Sequence, residues 1–468
     1  MSNKTISFAE RARLAYLLPL LAVTTWVLRW SVDPDNYFFA DDWAWLNHAE
    51  TTAAVEWLRL FPVAVYNDRP AGALFIKAIY AAFGLNQVAF HAIFIAVHLV
   101  NVVLVFRIGR RLLESDKAAF CSALLFGCWG SALTAPTWVA AVFDLLCCTL
   151  VLAATLVHLA EKSPWLTVGL FVLAIRTKEI AIMLPVLLLT VEAIGPARWS
   201  KEWLRRTART VAPILIAAAV YAVIYLHLHQ RYPMPESNPY HLSIGLGPFR
   251  SGMEFYLGSL LYARGLPTAA MAIGFPIALA VSVALRWRAE SVGLLGFLLF
   301  LLPVMFLPQQ RQPLYLYVPS AFFWIGSMAL ARRVLLWLAR NFRSARLQIQ
   351  NLLIALTLFG IGWQFWFFYI DRKIWCLTEF RVFRLNIEQL KRIMPSPAPN
   401  TTLFIAGIPH YLNVFHFGPC HSVRLVYRQR GLDCVIYKSP EETRKLYDAH
   451  AGPKLLLFYK DREIKTSE

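Results

Sequence analysis

Over its first 370 residues the chain alternates long apolar runs with short clusters of arginine and lysine, and then it turns polar. Eleven apolar runs predict transmembrane helices at 12–31, 88–107, 118–136, 139–160, 164–176, 180–195, 211–229, 266–285, 291–307, 314–331 and 350–370. A span takes about 20 apolar residues. The segment 164–195 therefore reads either as one broken span or as two short ones, and the basic clusters decide. Arg107, Arg110, Arg111 and Lys117 form the first. Arg198, Lys201, Arg205, Arg206 and Arg209 form the second, Arg286 and Arg288 the third, and Arg332, Arg333, Arg340, Arg343 and Arg346 the fourth. With two spans, all four share the side of the basic N-terminus; with one, the last three change sides. The positive-inside rule favours two, with the N-terminus cytoplasmic. The loops 32–87 and 230–265, the turn near 308–313 and everything after 371 are then expected outside.

A helix over 164–176 rises only about 20 Å, against about 30 Å of hydrocarbon. The turn Arg176-Thr177-Lys178-Glu179 is thus expected below the outer surface. Charges at that depth line wet cavities or pair with each other, and four polar residues together suggest a recess open to the outside. In the first outer loop, 53–65 and 72–83 are amphipathic and are expected along the interface. The last 98 residues carry strand-like runs at 402–406, 422–427, 434–437 and 454–459. The fold class expected is an all-α polytopic membrane domain (1–370) with a small extracytoplasmic α/β domain (371–468).

Composition agrees. The chain is 58% hydrophobic with a mean hydropathy of +0.51, above the roughly 45–50% apolar content of soluble domains. A net charge of +18 would suggest nucleic acid in a soluble protein, but cations placed between apolar runs are the positive-inside pattern, so no nucleic-acid partner is expected. The first run exceeds the roughly 7–15 residues of a signal-peptide core and no small-residue cleavage site follows, so it is expected to stay as a helix. Of seven cysteines, Cys121, Cys128, Cys147 and Cys148 lie in apolar runs and read as buried thiols. Cys376, Cys420 and Cys434 lie in the polar part, with no zinc-like spacing. Cys420 and Cys434 are disulfide candidates if that part faces an oxidising compartment.

The candidate chemistry starts at Asp41 and Asp42, just past the first span. An acid pair at a membrane mouth either caps the following helix or, partly desolvated, serves as a general base. Asp144, near the outer end of the fourth span, is an intramembrane acid that needs a partner or a role. Arg69, Lys178 and Arg311 fall on the outer side against the general bias, with Tyr315 and Tyr317 following the last of them. Each alone reads as a side chain reaching for headgroups; together they suit a phosphate. His91, His98 and Asn101 share a helix face and read as interhelical hydrogen bonding rather than metal ligation. His410, His416 and His421 are too irregular in spacing to define a metal site.

Several segments recur in the order of a known family: Ala40-Asp41-Asp42, Asn67-Asp68-Arg69-Pro70, His91 with His98 and Asn101, Val139-Ala140-Ala141-Val142-Phe143-Asp144, Lys178-Glu179 before Leu184-Pro185, and Leu316-Tyr317-Val318-Pro319-Ser320. Over roughly residues 10–330 the chain resembles the GT-C superfamily of membrane glycosyltransferases. Within it, the likeness is to the protein O-mannosyltransferases and the bacterial lipid A aminoarabinose transferases. The resemblance implies a polyprenyl- or dolichyl-phosphate sugar donor and an acceptor hydroxyl on the outer face, carried by a glycolipid, glycan or protein. It implies Asp41 as the catalytic carboxylate with Asp42 beside it and Asp144 as a further acid. By the same match Arg69 would bind the donor phosphate, Lys178-Glu179 would be the family's Lys-Glu turn and Tyr317 would lie near the lipid phosphate; Arg311, from its outer position, joins the candidate phosphate ligands, and Glu179 and His91 the supporting residues. The chain lacks the tetratricopeptide repeats and β-trefoil insert of some members, which leaves the acceptor open.

An inverting transfer needs a base for the acceptor and cations for the leaving phosphate. The leaving group is already a phosphate, so no cofactor is required and a divalent metal is optional. Membrane lipids complete the expected partners, and a bacterial inner membrane is the expected location. The competing readings are a transporter or flippase of a lipid-linked saccharide, and a catalytically inactive scaffold. The acids gather toward one face and no inverted repeat is evident, unlike many transporters.

Overall fold

The computed structural model describes residues 8–31, 36–38, 40–59, 61–63, 69–133, 135–194, 200–231, 235–261, 268–341, 346–368, 374–408, 418, 420–436 and 438–466. Asn67 and Asp68 of the sequence motif, and His410 and His416, lie outside them.

Each predicted span holds a helix. The first is α1 (Phe8–Ser31). The loop after it folds into α2 (Asp42–Thr51), a 3-10 turn at Ala54–Trp57, and α3 (Pro70–Phe83). Then come α4 (Gln87–Leu113), α5 (Asp116–Cys128), the single turn α6 (Gly130–Leu133), 3-10 turns at Ala135–Thr137 and Val139–Ala141, and α7 (Val142–Leu159). The short pair is α8 (Pro164–Ile175) and, after a 3-10 turn at Glu179–Met183, α9 (Leu184–Ala193). The series continues with α10 (Lys201–Arg231), α11 (Leu246–Leu261), α12 (Thr268–Ala284) and α13 (Arg288–Met305). After a 3-10 turn at Pro313–Leu316 come α14 (Tyr317–Asn341) and α15 (Arg346–Phe368). Among the described residues, five helices are long and apolar enough to cross a membrane, and others are shorter apolar helices.

Local chemistry sets the ends. Asn86 and Ser115 accept from the amides of Ala89 and Ala118 at the starts of α4 and α5, satisfying donors that a helix start leaves open. Pro70 and Pro164 open α3 and α8, where a missing N–H costs nothing. The predicted span 118–136 is helical only to Cys128; there the chain bends and the Trp129 indole donates to the carbonyl of Leu260. Helices α13 and α14 approach backbone to backbone at Gly293 and Gly326, where any Cβ would collide; small residues permit such packing in lipid.

Described members of the four basic clusters gather at one end of the bundle. Arg111, Arg206 and Arg288 line one cavity there, and Arg333 pairs with Glu290 beside Trp287. The short pair α8 and α9 makes this possible, as the two-span reading of 164–195 expects.

The C-terminal part consists of α16 (Ile374–Ile393), β1 (Thr402–Ala406), α17 (His421–Tyr427), β2 (Asp433–Val435), α18 (Pro440–Ala449), β3 (Lys454–Lys460) and β4 (Glu463–Lys465). The strand order is β2-β1-β3-β4, with β1 parallel to both neighbours and β3–β4 an antiparallel hairpin. Residues 422–427, expected as a strand, form α17 instead. Two parallel strands need a crossover, usually helical, and α17 supplies it between β1 and β2. Cys420 and Cys434 form a disulfide that ties the start of α17 to β2. Helix α17 packs on α2, so this unit sits at the end of the bundle that carries Asp41.

Candidate active site

The first outer loop delivers the acid pair. Ala40 adopts a left-handed backbone, φ 47°, a conformation that costs a residue with a Cβ roughly 1–2 kcal/mol. It turns the chain so that Asp41 and Asp42 face the bundle. Asp42 is buried, and its Oδ1 accepts from the amide of Ala140 at 2.7 Å. It thereby clamps α2 to the 3-10 turn that precedes α7. Asp41 is different. Its Oδ1 is shut off from solvent. Burial pushes the carboxyl up to about 6, while its own amide, Arg69 and the Trp138 indole pull it down. A carboxylate with that value is ionised at neutral pH yet basic enough to take a proton, as a general base must be.

Arg69 brings one ion pair beside Asp41, and a second pair lies on the same α8–α9 turn. Arg69, just before α3, holds Glu179 through two parallel bonds, Nε to Oε1 and Nη2 to Oε2, both 3.1 Å. Lys178 Nζ lies 2.6 Å from both oxygens of Asp144, with both side chains buried, and 4.7 Å from the centre of the Tyr315 ring. Phe143, next to Asp144 in the chain, has its ring under the Arg69 guanidinium at 5.5 Å and against Trp45 at 4.5 Å. Asp41, Arg69, Lys178, Glu179 and Asp144 thus form one charged cluster, built from the first loop, α7 and the α8–α9 turn.

The polar turn 176–179 is more closed than the open recess expected there: among the described residues Arg176, Thr177 and Lys178 are buried, Lys178 pairs with Asp144, and the part-exposed Glu179 pairs with Arg69. Such pairing is the other solution available to charge at membrane depth.

Two expected phosphate ligands are engaged with other partners. Arg311 Nη2 donates to Ser251 Oγ at 2.7 Å, so its side chain is tied to α11. Tyr317 is fully buried; its hydroxyl meets His98 Nδ1 at 2.7 Å and Asn101 Nδ2 at 3.1 Å, which makes it an interhelical link. Tyr315, two residues earlier, is the tyrosine that faces Lys178. His91 is also structural: its ring nitrogens lie 3.1 Å from the carbonyls of Pro136 and Asn36. It joins the loop before Asp41 to the 3-10 turn at Ala135–Thr137, the one before the turn that Asp42 clamps. Among the described residues, no three His, Cys, Asp or Glu side chains gather as a metal-ligand set.

No protein-family model and no curated protein sequence matches the chain. Solved structures do. The crystal structure of ArnT from Cupriavidus metallidurans in the apo state matches with a TM-score of 0.55 at 17% identity, over 96% of this chain and 94% of that one. The same protein bound to undecaprenyl phosphate matches with a TM-score of 0.52 at 16% identity, over the same shares. ArnT is a lipid A aminoarabinose transferase. The chain has the GT-C fold.

The structural likeness covers 96% of the chain and so reaches past the roughly 10–330 where sequence motifs suggested it. Sequence reasoning missed Trp138 beside Asp41 and Tyr315 beside Lys178. Tyr315 carried a signal, two residues from Tyr317 in the same outer turn. Trp138 carried none, because its partner lies about a hundred positions earlier.

Proposed function

We propose that the protein is an inverting membrane glycosyltransferase that moves a sugar from a polyprenyl-phosphate carrier to an acceptor hydroxyl on the outer face. The observation that carries this reading is Asp41: a part-buried carboxylate poised near 6 beside Arg69, in a chain with the GT-C fold. The ArnT structure that holds undecaprenyl phosphate supports the lipid class.

The reaction needs one proton moved and one leaving group stabilised. The acceptor O–H gives its proton to Asp41. Its oxygen bonds to the anomeric carbon from the face opposite the phosphate, and the bond from that carbon to the phosphate oxygen breaks with its electrons leaving on phosphate. Arg69 is the side chain placed to meet that charge. Its two bonds to Glu179 occupy the Nε–Nη2 edge and fix where the guanidinium charge sits. Lys178 contributes positive potential from behind, held by Asp144. Tyr315 takes the place suggested by sequence for Tyr317, and Arg311 serves from the α11 side if the bound donor reaches it. Asp42 and His91 position the loop. No step requires a cofactor, and a divalent metal at the phosphate remains compatible with the scheme.

The C-terminal unit packs on α2 and carries a disulfide, which suits an oxidising, extracytoplasmic side. We place it there, with the four basic clusters and the N-terminus cytoplasmic and a bacterial inner membrane as the host. It stands where an acceptor glycolipid, glycan or protein would approach. The test is lipid analysis of the purified protein by mass spectrometry, followed by incubation with a polyprenyl-phosphate sugar. Co-purified polyprenyl phosphate and its release from the donor are the expected results. Translocation of the intact lipid-linked sugar without bond cleavage would replace this reading by a flippase.

A further inference from the structure

A cavity lies at the end of the bundle opposite Asp41. Helix α4 fixes the distance: His91 meets the Asp41 loop, while Arg107, Arg110 and Arg111 lie some 16–20 residues on, roughly 25–30 Å along a helix. Helix α7 repeats the relation, with Asp144 at one end and Leu159, whose carbonyl accepts from Arg111 at 3.0 Å, at the other.

The cavity has a volume of about 760 Å³ and two kinds of wall. Leu17, Phe106, Leu156 and Val157 make one side apolar. Arg107, Arg110, Arg111 and Lys162 rim the other, with Glu114 and Asp116 as the acids among them. Asp116 is already neutralised by Arg110. Arg107 and Lys162 are exposed, and neither has an ion-pair partner among the described residues. Positive-inside bias alone accounts for cations at this end. It does not account for their convergence from α4 and the loop after α7 on one concave, half-apolar space.

We propose that this cavity is a binding site for the headgroup of an anionic phospholipid, with the phosphodiester on Arg107, Arg111 and Lys162 and the glycerol and upper acyl chain against Phe106 and Leu156. Charge complementarity selects an anion. The apolar wall, continuous with helices that cross the bilayer, selects a lipid over a free phosphate. The site is independent of the transfer chemistry at Asp41.

The test uses the full-length protein in detergent, titrated separately with dioleoylphosphatidylglycerol, dioleoylphosphatidylcholine and inorganic phosphate, and read by native mass spectrometry and thermal shift. Phosphatidylglycerol is expected to bind more than about tenfold tighter than phosphatidylcholine, since each surface cation contributes a factor of about five toward an anionic lipid. Arg107→Gln and Lys162→Gln, both at exposed positions, should each weaken phosphatidylglycerol about fivefold and leave phosphatidylcholine unchanged. Equal affinity for the two lipids, or variants that bind phosphatidylglycerol as the parent does, would overturn the site. Inorganic phosphate binding as tightly as phosphatidylglycerol would overturn its assignment to a lipid.

Discussion

Lys178 and Asp144 are locked to each other deep in the bundle, one ammonium bridging both carboxylate oxygens at 2.6 Å. The pair joins the α8–α9 turn to the start of α7. Removing one member of a buried pair strands the other charge, at a cost of about 3–5 kcal/mol. Lys178→Met should therefore lower the thermal midpoint in detergent markedly, and Lys178→Met with Asp144→Leu should recover most of the loss. A double variant no more stable than the single one would show that the pair does not act as a unit.

Arg69 makes two parallel bonds to Glu179, and a lysine cannot reproduce them. Arg69→Lys should keep the fold but weaken binding of a polyprenyl phosphate by about tenfold or more, on the order of one lost charge-assisted hydrogen bond. Lipid titration followed by intrinsic tryptophan fluorescence measures it. Unchanged affinity would move the phosphate site away from Arg69.

The Cys420–Cys434 disulfide closes a short loop. Replacing both cysteines by serine should destabilise the C-terminal unit by about 3 kcal/mol, seen as earlier proteolysis around α17. The same unit should be reachable from outside. Glu441→Cys, at an exposed position on α18, should react with an impermeant maleimide on intact cells, and reaction only after lysis would reverse the topology.

The Asp41 carboxyl sits near 6 because burial disfavours its charge more than Arg69 favours it. A base works when deprotonated, so transfer should rise with pH through about 6 and be nearly full at 7.5. Removing the nearby cation removes a downward pull, so Arg69→Gln should move that limb to higher pH. A limb that stays in place would separate the two groups.

Much of the bundle was legible in the sequence because lipid imposes one rule, a run of apolar residues for each crossing. Each of the eleven runs holds a helix, and the basic clusters correctly divided 164–195 in two. The Lys178-Glu179 turn stood out for the same reason, as charge placed between two apolar runs. What the sequence hid is tertiary. Residues 422–427 alternate as a strand does, yet they form a helix because β1 and β2 are parallel. The polar turn 176–179 reads as a wet recess until Asp144 and Arg69 arrive from elsewhere in the chain to close it. Tyr317 and Tyr315 look alike in sequence, and only the turn into α14 sends one to His98 and the other to Lys178.

Transfer by the Asp41→Asn variant tests the central claim most directly. The assay incubates purified protein with a radiolabelled polyprenyl-phosphate sugar and a total envelope extract as acceptor, and counts label in the product while donor binding is followed in parallel. The parent should transfer label; Asp41→Asn should bind the donor as the parent does and transfer about 10²–10⁴-fold more slowly. Near-parental transfer by the asparagine variant would contradict the account.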